Sequence, residues 1–422
     1  MGDPDLRPPL SGGGATPPFE VFLPPARSRY HDGTAAGSTP PRRCPADRAL
    51  RLLVSGHDRV AAVRCAEDAL EDDVCRRDAW CVTRALTTLI YGGELVAADE
   101  QGLRLADRDG TTGVVTLLRA RVARLCGDVD RAHHLLGALA ESAAGPGIRL
   151  VAAGWSVELL AECGDVGGAR ALAVRHGLDR APAEAAGCRP VLLAARGAVA
   201  MAAGRFADAV ADYLVCGREL IARGVVNPAV LPWRSEAALG AHAAGRRGVA
   251  SALARQEYSA AVSWGESRTV GRALSAVAIV AADGRDVELL GEAGRLLELA
   301  HAWPELGRVG YELGVRLAGR GEVAAARHQL DRARALAGRV GDVDRAAQAA
   351  RALADLAPPR RRPLTRQQAR ITRLAVAGYS DEEIAAALSL ALRTVESHLS
   401  SIYDKFGITG RDELRAALGT CA

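Results

Sequence analysis

Eight glycines recur along the chain at intervals of 34 to 41 residues, each followed by polar residues and an Ala-containing stretch: Gly56, Gly93, Gly127, Gly164, Gly204, Gly245, Gly284 and Gly321. Such a period is typical of stacked helix-turn-helix units, since tetratricopeptide repeats measure about 34 residues and other helical repeats about 40. Glycine suits the left-handed position that ends the first helix of a unit. A small alanine four or five residues later allows the second helix to pack closely. The pattern predicts an all-α, tetratricopeptide-like α-solenoid over residues 46–356.

The amino-acid composition also favours helices. Apolar residues make up 49% of the 422 residues but aromatic residues only 4%, so Ala, Leu and Val supply most of the apolar character. Ala and Leu form helices readily, whereas strands are enriched in aromatic and β-branched residues. The formal net charge of +4 gives no strong field over the whole molecule, so any nucleic-acid contact must come from a local patch.

Two proline-rich segments divide the chain. Residues 1–45 contain PP, GGG and PPRR runs and too few periodic apolar residues to form a core, which predicts disorder. Residues 357–363, APPRRRP, form a stiff basic break, because proline stops the preceding helix. The sequence therefore predicts a linker at 357–363 and a second folded domain at 364–422.

The cysteines give no indication of a metal site. All nine are scattered, and none forms a CxxC pair, so we expect reduced thiols, no zinc site and no disulfide framework. The uncharged, mostly apolar run at residues 273–282 holds only ten residues, well below the roughly 18 needed to cross a bilayer. With no export signal recognised either, the sequence predicts a cytoplasmic protein that does not enter the membrane.

Lys405 is the single lysine of the chain. A P-loop needs a lysine after its glycine-rich turn to meet the nucleotide phosphates, and Lys405 lies instead in a C-terminal helical pattern. Arginine is a poor substitute there, because its planar guanidinium differs from a compact ammonium. No nucleophile elbow, HExxH motif or dinucleotide fingerprint is found, so we expect no enzymatic activity, no catalytic residue and no cofactor.

Four short helical patterns follow the linker. Thr365 with Gln368, and Ser380 with Glu383, have the spacing of two capping boxes. A three-residue break at 389–391 separates the second helix from a third at about 393–406, and apolar residues near Leu414 indicate a fourth. Two helices joined by a tight turn within about sixty residues predict a helix-turn-helix DNA reader.

The third helix has one apolar and one polar face. Val395, Leu399, Ile402 and Phe406 form an apolar stripe. Four residues on the other side are predicted to read bases in the major groove, because Arg, Ser and Glu can bond base edges; they are Arg393, Glu396, Ser397 and Ser400. Four residues on the flanks are predicted to contact the DNA backbone; they are Thr394, His398, Ser401 and Lys405.

The C-terminal segment resembles the LuxR-type helix-turn-helix domain. The resemblance covers about 55 residues and rests on LT at 364–365, SDEEIA at 380–385, TVESH at 394–398 and IYDKFG at 402–407. It implies a four-helix DNA-binding domain, with base contacts at Glu396, Ser397 and Ser400 and backbone contacts near Thr394, Ser401 and Lys405. Gln368 stands where the family usually has Glu, and Asp381 where it usually has Asn.

Residues 195–247, with the run NPAVLPWRSEAAL, are similar to the helical region of the large ATP-binding LuxR-type regulators. In that family an ATPase domain precedes the helices, and we expect this chain to lack it. Trp233 within the run is expected to pack between repeats.

These features predict a transcriptional regulator. The repeats would serve as a sensor or assembly module that binds a protein or small-molecule effector, and the C-terminal domain would bind double-stranded DNA as a homodimer. The alternative is a helical-repeat interaction scaffold whose helix-turn-helix docks on a protein. The two readings differ in salt dependence, because DNA binding weakens steeply as salt rises.

Overall fold

A computed structural model describes residues 44–105, 112–178, 187–281, 284–356, 364–406, 408, 410, 411, 413 and 414, with the backbone alone at residue 112. Residues 1–43, the linker at 357–363 and most of the predicted fourth C-terminal helix lie outside these ranges. Within them the regular secondary structure is helical, which confirms the all-α prediction. A 3-10 turn at Cys75–Arg77 accompanies twenty α-helices: α1 (Pro45–Ser55), α2 (Arg59–Glu71), α3 (Ala79–Gly92), α4 (Leu95–Leu105), α5 (Thr112–Cys126), α6 (Val129–Ala140), α7 (Pro146–Glu162), α8 (Val166–Arg175), α9 (Arg189–Ala202), α10 (Phe206–Ala222), α11 (Trp233–Ala243), α12 (Arg247–Trp264), α13 (Ser267–Val280), α14 (Asp286–Leu299), α15 (Trp303–Gly319), α16 (Val323–Arg339), α17 (Val343–Asp355), α18 (Arg366–Val376), α19 (Asp381–Leu388) and α20 (Leu392–Phe406).

The eight periodic glycines all occupy the predicted conformation. Each lies in the turn between an odd-numbered helix and the next even-numbered one, from α1–α2 to α15–α16. Their φ angles lie between 69° and 92°, in the left-handed region that glycine enters without steric strain. The glycines therefore end the first helix of each unit, as predicted.

Small residues bring the two helices of a unit together. Six alanines stand five residues after a periodic glycine and are at most 3% exposed: Ala98, Ala132, Ala169, Ala209, Ala250 and Ala326. Helices α1 to α17 pack mainly against their neighbours in sequence, so that consecutive pairs form a continuous array. The prediction of sequential helix pairs is confirmed.

Trp233 lies between two helices of this array. The residue is 7% exposed at the start of α11, and a Cβ added to Gly217 on α10 would lie 2.3 Å from its ring. The glycine thus provides the space that the indole fills. Packing between adjacent helices, as predicted, accounts for this tryptophan.

The array curls until distant helices meet. The indole nitrogen of Trp264 on α12 donates to the carbonyl of Tyr91 on α3 at 2.9 Å, and the guanidinium of Arg268 donates to the carbonyl of Leu125 at 2.5 Å. Asn227 likewise donates to the carbonyl of Leu53 at 2.8 Å. Helices α5 and α15 are also in contact. The odd-numbered helices consequently surround a central space.

Helices α18 to α20 have a hydrophobic core of their own. Its eight buried members are Ile371, Ala375, Ile384, Ala385, Val395, Leu399, Ile402 and Leu414. All eight follow the APPRRRP segment in the sequence, and no residue of α1–α17 belongs to this cluster. Among the helices of the described ranges, none combines the length and apolar character needed to cross a membrane.

Candidate nucleic-acid interface

Helix α18 begins with the first predicted capping box. The amide of Gln368 donates to the Thr365 hydroxyl at 3.2 Å, and the Gln368 side-chain oxygen accepts from the Thr365 amide at 3.1 Å. Both bonds satisfy amides that a helix leaves unpaired at its start. The capping box fixes the first residue of α18 at Arg366.

Helix α19 begins with the second capping box. The Glu383 amide donates to the Ser380 hydroxyl at 3.2 Å, and the Glu383 carboxylate accepts from the Ser380 amide at 2.7 Å. The helix ends at Ser389, which has a left-handed φ of 55°. The Leu390 amide then donates back to the Ala385 carbonyl at 2.9 Å. This geometry forms the tight turn that was predicted between the second and third helices.

Helix α20 presents the two faces that were predicted. Val395, Leu399 and Ile402 are buried, and Phe406 packs against them as a half-buried ring. The four predicted base-reading residues, Arg393, Glu396, Ser397 and Ser400, are all exposed. Within the described part of the chain, the side chains of these four make no hydrogen bond or ion pair. The polar face is therefore available to an external partner.

The start of α20 is free of acidic residues, unlike the start of α19. The first turn of α19 carries Asp381, Glu382 and Glu383, which complement its positive dipole end internally. The first turn of α20 carries no acid, and the exposed Arg393 adds a positive charge there. An anion is therefore bound more favourably at the start of α20 than at the start of α19.

Leu392 was missed by the sequence analysis. Helix α20 begins at Leu392, one residue before the predicted start, and this side chain is 39% exposed. Exposed apolar groups at the start of a recognition helix can contact thymine methyl groups. Leu392 stands three residues before Val395 and so continues the spacing of the apolar stripe, but the predicted helix began one residue after it.

Two of the predicted backbone-contacting residues bond within the domain. The Lys405 ammonium donates to the Gln368 side-chain oxygen at 2.5 Å, and the Gln368 side-chain nitrogen donates to the Ser401 hydroxyl at 3.1 Å. Gln368 is 5% exposed. This amide therefore ties α20 to the start of α18, while Thr394 is exposed and His398 is half-buried.

Asp381 has an internal partner. The Arg411 guanidinium makes an ion pair with the Asp381 carboxylate and donates to the Tyr379 carbonyl. The acid that departs from the family pattern is thus neutralised from within the domain. It places no uncompensated negative charge at this end of α19.

A second candidate site is the space inside the helical array. It is a cavity of about 370 Å³ lined mainly by odd-numbered helices from α3 to α17. Arg124 pairs there with Glu158 at 2.6 Å and with Glu162 at 2.9 Å. Burial alone would raise the pKa of Glu162, but Arg124 and Arg308 lower it to about 2. Glu162 is therefore a carboxylate at neutral pH.

Glu236 and Arg272 also line this cavity. Within the described ranges neither side chain makes a hydrogen bond or ion pair. Burial raises the pKa of Glu236, opposed by the charges of Arg272 and Arg308. The cavity therefore combines a carboxyl group and a guanidinium group, neither with a partner among the described residues, with aromatic walls at Tyr213 and Trp155. The sequence analysis did not identify these residues, since they come from helices far apart in the chain.

Comparison with known proteins identifies the C-terminal segment. The family model described as bacterial regulatory proteins, luxR family, matches residues 362–416. No curated protein matched the chain. Residues 195–247 lie outside the matched segment, so their likeness to the large ATP-binding regulators stays a prediction.

Proposed function

We propose that α20 is the helix that reads the operator. It belongs to the LuxR-family helix-turn-helix domain at residues 362–416, which implies DNA-binding transcriptional regulation. The observation that carries this proposal is the polar face of α20. It holds four exposed side chains that have no partner among the described residues, opposite a stripe that lies in the domain core.

Arg393, Glu396, Ser397 and Ser400 are the proposed base readers. Arg can bond guanine, Glu can accept from the cytosine amino group, and the serines can bond several base edges. Small serines also let the helix axis approach the bases closely. Sequence preference should therefore depend on this face.

Thr394, His398, Ser401 and Lys405 are the proposed backbone contacts. Thr394 follows Arg393 in the acid-free first turn of α20, where phosphate is favoured. For Lys405 the bond to Gln368 orients the ammonium near the end of α20. We infer that this orientation, together with the charge, suits a phosphate contact, with Ser401 held by the same amide.

We propose that DNA binding involves a homodimer. One recognition helix covers only a few base pairs, and useful affinity generally comes from two half-sites about 34 Å apart along the duplex. Sedimentation of the full chain with DNA carrying one or two half-sites tests this. A single chain bound to the two-site DNA at saturation would contradict it.

The helical array is proposed to act as the sensor. Its cavity of about 370 Å³ falls within the size range of small-molecule sites. Its side chains suit a polar ligand with a cationic group for Glu236 and an anionic group for Arg272. A thermal-shift screen of charged metabolites against the full chain and Glu236→Gln is the test, and ligands that stabilise both proteins equally would argue against this site.

The DNA-reading proposal is tested with the full chain and promoter DNA from its own locus. Fluorescence anisotropy between about 50 and 200 mM salt should show affinity that falls steeply, because phosphate contacts release counterions. Lys405→Met should weaken binding to all sequences alike and lower the salt slope by about one. The pair Ser397→Ala/Ser400→Ala should instead reduce discrimination between operator and mutated operator by roughly 10-fold.

Arg255→Ala is the matched control, because Arg255 is exposed on α12 and makes no hydrogen bond or ion pair within the described residues. It should leave the salt slope and the discrimination unchanged. Binding that is insensitive to salt, or that the serine pair does not affect, would favour the interaction scaffold. Absence of DNA binding at low salt would overturn the base-reading role of α20.

A further inference from the structure

Three buried cysteines converge near the start of the helical array. Cys44 precedes the first residue of α1, Cys75 lies in the 3-10 turn and Cys81 lies in the first turn of α3. The Cys44 sulfur is 3.7 Å from that of Cys75 and 3.6 Å from that of Cys81. All three sulfurs lie within 4.8 Å of one another. The spacing of these cysteines in the sequence gave no sign of this cluster.

The backbone around two of the cysteines is held by carboxylates. Asp72 accepts hydrogen bonds from the Val74 and Cys75 amides, both at 2.9 Å. Asp78 accepts from the Trp80 and Cys81 amides, both at 3.0 Å. These caps fix the backbone that carries the sulfurs, so the cluster is organised before any ligand binds.

The sulfur separations fit a single bound ion. With metal–sulfur bonds of about 2.3 Å, tetrahedral angles give sulfur–sulfur edges of about 3.8 Å and a flat three-coordinate site gives about 4.0 Å. The two separations from the Cys44 sulfur, 3.6 and 3.7 Å, are close to these edges. The sulfurs are therefore spaced as in a site that binds one ion.

Burial and charge restrict the ion further. The three cysteines are at most 4% exposed, and no fourth His, Cys, Asp or Glu of the described residues joins the group. Structural zinc normally takes four ligands. Three thiolates would leave a net charge of −1 with Zn²⁺ and −2 with Cu⁺, whereas a trivalent ion gives a neutral complex. A buried net charge is unfavourable, and the neighbouring Arg84–Asp47 pair is itself neutral.

We propose that Cys44, Cys75 and Cys81 bind a trivalent thiophilic metalloid of the arsenite class. Arsenous acid, As(OH)₃, is uncharged and condenses with three thiols. Three As–S bonds form, three As–OH bonds break, and each hydroxyl leaves as water with the proton of one thiol. No atom changes oxidation state. The product joins the start of α1, the 3-10 turn and α3 through one atom.

This site is independent of the proposed DNA-binding function. The test uses the full chain, reduced and free of added metals, titrated with sodium arsenite. Native mass spectrometry should show one arsenic per chain with the loss of three hydrogens, and arsenic X-ray absorption should show three sulfur neighbours. The melting temperature should rise with arsenite, because the ion binds only where the three sulfurs are assembled.

Alanine at any of the three positions should lower arsenite affinity by at least about 100-fold, since even outer-shell partners of bound ions contribute about 10- to 100-fold. Cys65→Ala is the matched control, because Cys65 is also buried, on the neighbouring helix α2, but lies outside the cluster. It should bind arsenite as the unmodified chain does.

Two comparison ions sharpen the result. Zn²⁺ and Cu⁺ are titrated in parallel with a competing chelator. Fewer than three sulfurs around arsenic in the unmodified chain would overturn the proposal, and so would tighter binding of Zn²⁺ with a fourth ligand. A loss of two hydrogens without arsenic would show a disulfide instead. The absorption measurement needs no variant, so a poorly folded alanine variant leaves the test intact.

Discussion

Replacing Glu257 by Gln is expected to stabilise the helical array above pH 7 and to remove part of its pH dependence. Glu257 lies on α12 and is 1% exposed. One carboxylate oxygen accepts from the Ser235 amide at 3.3 Å, and the other lies 3.6 Å from the Arg234 guanidinium. Burial has the largest effect on the pKa of Glu257 and raises it, whereas the charge of Arg234 lowers it. The result is a pKa of about 7.

The direction of the effect follows from proton binding. Between pH 4.5 and about 7, folded chains hold a proton on Glu257 that unfolded chains have released. Stability therefore falls as pH rises through this window, and the fall is complete above it. The rise in pKa from 4.5 to about 7 corresponds to about 3 kcal/mol, at about 1.4 kcal/mol for each pH unit. Gln keeps a neutral side chain of the same shape and should not show the fall.

The local free energy of unfolding of α12 is measured by amide hydrogen exchange between pH 5 and 8.5, with correction for the intrinsic exchange rates. A local measurement is needed because helical arrays need not unfold in one step. Glu257→Gln should approach a stability gain of about 3 kcal/mol at high pH and little gain near pH 5. Glu322→Gln is the matched control, since Glu322 is exposed. Parallel pH profiles for the unmodified chain and Glu257→Gln would refute the reasoning.

Two further substitutions test packing and capping, with thermal unfolding as the measurement. Gly217→Ala should destabilise the array by about 1–3 kcal/mol, because the added Cβ would lie 2.3 Å from the indole of Trp233. Gly137→Ala is the matched control and should be neutral or stabilising, because nothing lies within 4 Å of a Cβ added there. Equal changes in stability for the two variants would contradict this explanation. Gln368→Glu should stabilise α18–α20 by about 1–2 kcal/mol, because it keeps the cap and adds an ion pair with Lys405. Gln367→Glu is the matched control, because it adds only a favourable charge near the start of the helix. An equal gain in stability from Gln367→Glu would argue against an ion pair between position 368 and Lys405.

Local features of the fold could be predicted because they depend on a few adjacent residues. A glycine such as Gly204 ends its helix through its own backbone freedom, and a following alanine such as Ala209 is small enough to be buried. The capping boxes at Thr365 and Ser380 likewise join groups three residues apart. Each of these interactions forms within one turn of chain, so spacing alone specified it.

Features that join distant segments could not be predicted from the same spacing. The cavity brings Glu162 next to Arg308 at 3.6 Å, and their meeting depends on how strongly successive helix pairs curve. Cys44 meets Cys81 for the same reason. Lys405 was assigned to phosphate on its helical position, yet its bond to Gln368 depends on how α20 crosses α18. The curvature of the array and the crossing of α18 and α20 result from the packing of many side chains together, so no short stretch of sequence specifies them.

The contact between distant units changes how this array is expected to fold. An open solenoid makes only neighbouring contacts, so it can fold from any unit and lose its end units one at a time. Here Trp264 bonds to Tyr91 across 173 residues, and Arg268 bonds to Leu125 across 143. Such contacts raise the contact order and slow folding. They also make early and late units of the array mutually dependent, so loss of the helices that carry Trp264 and Arg268 should also destabilise α3 and α5.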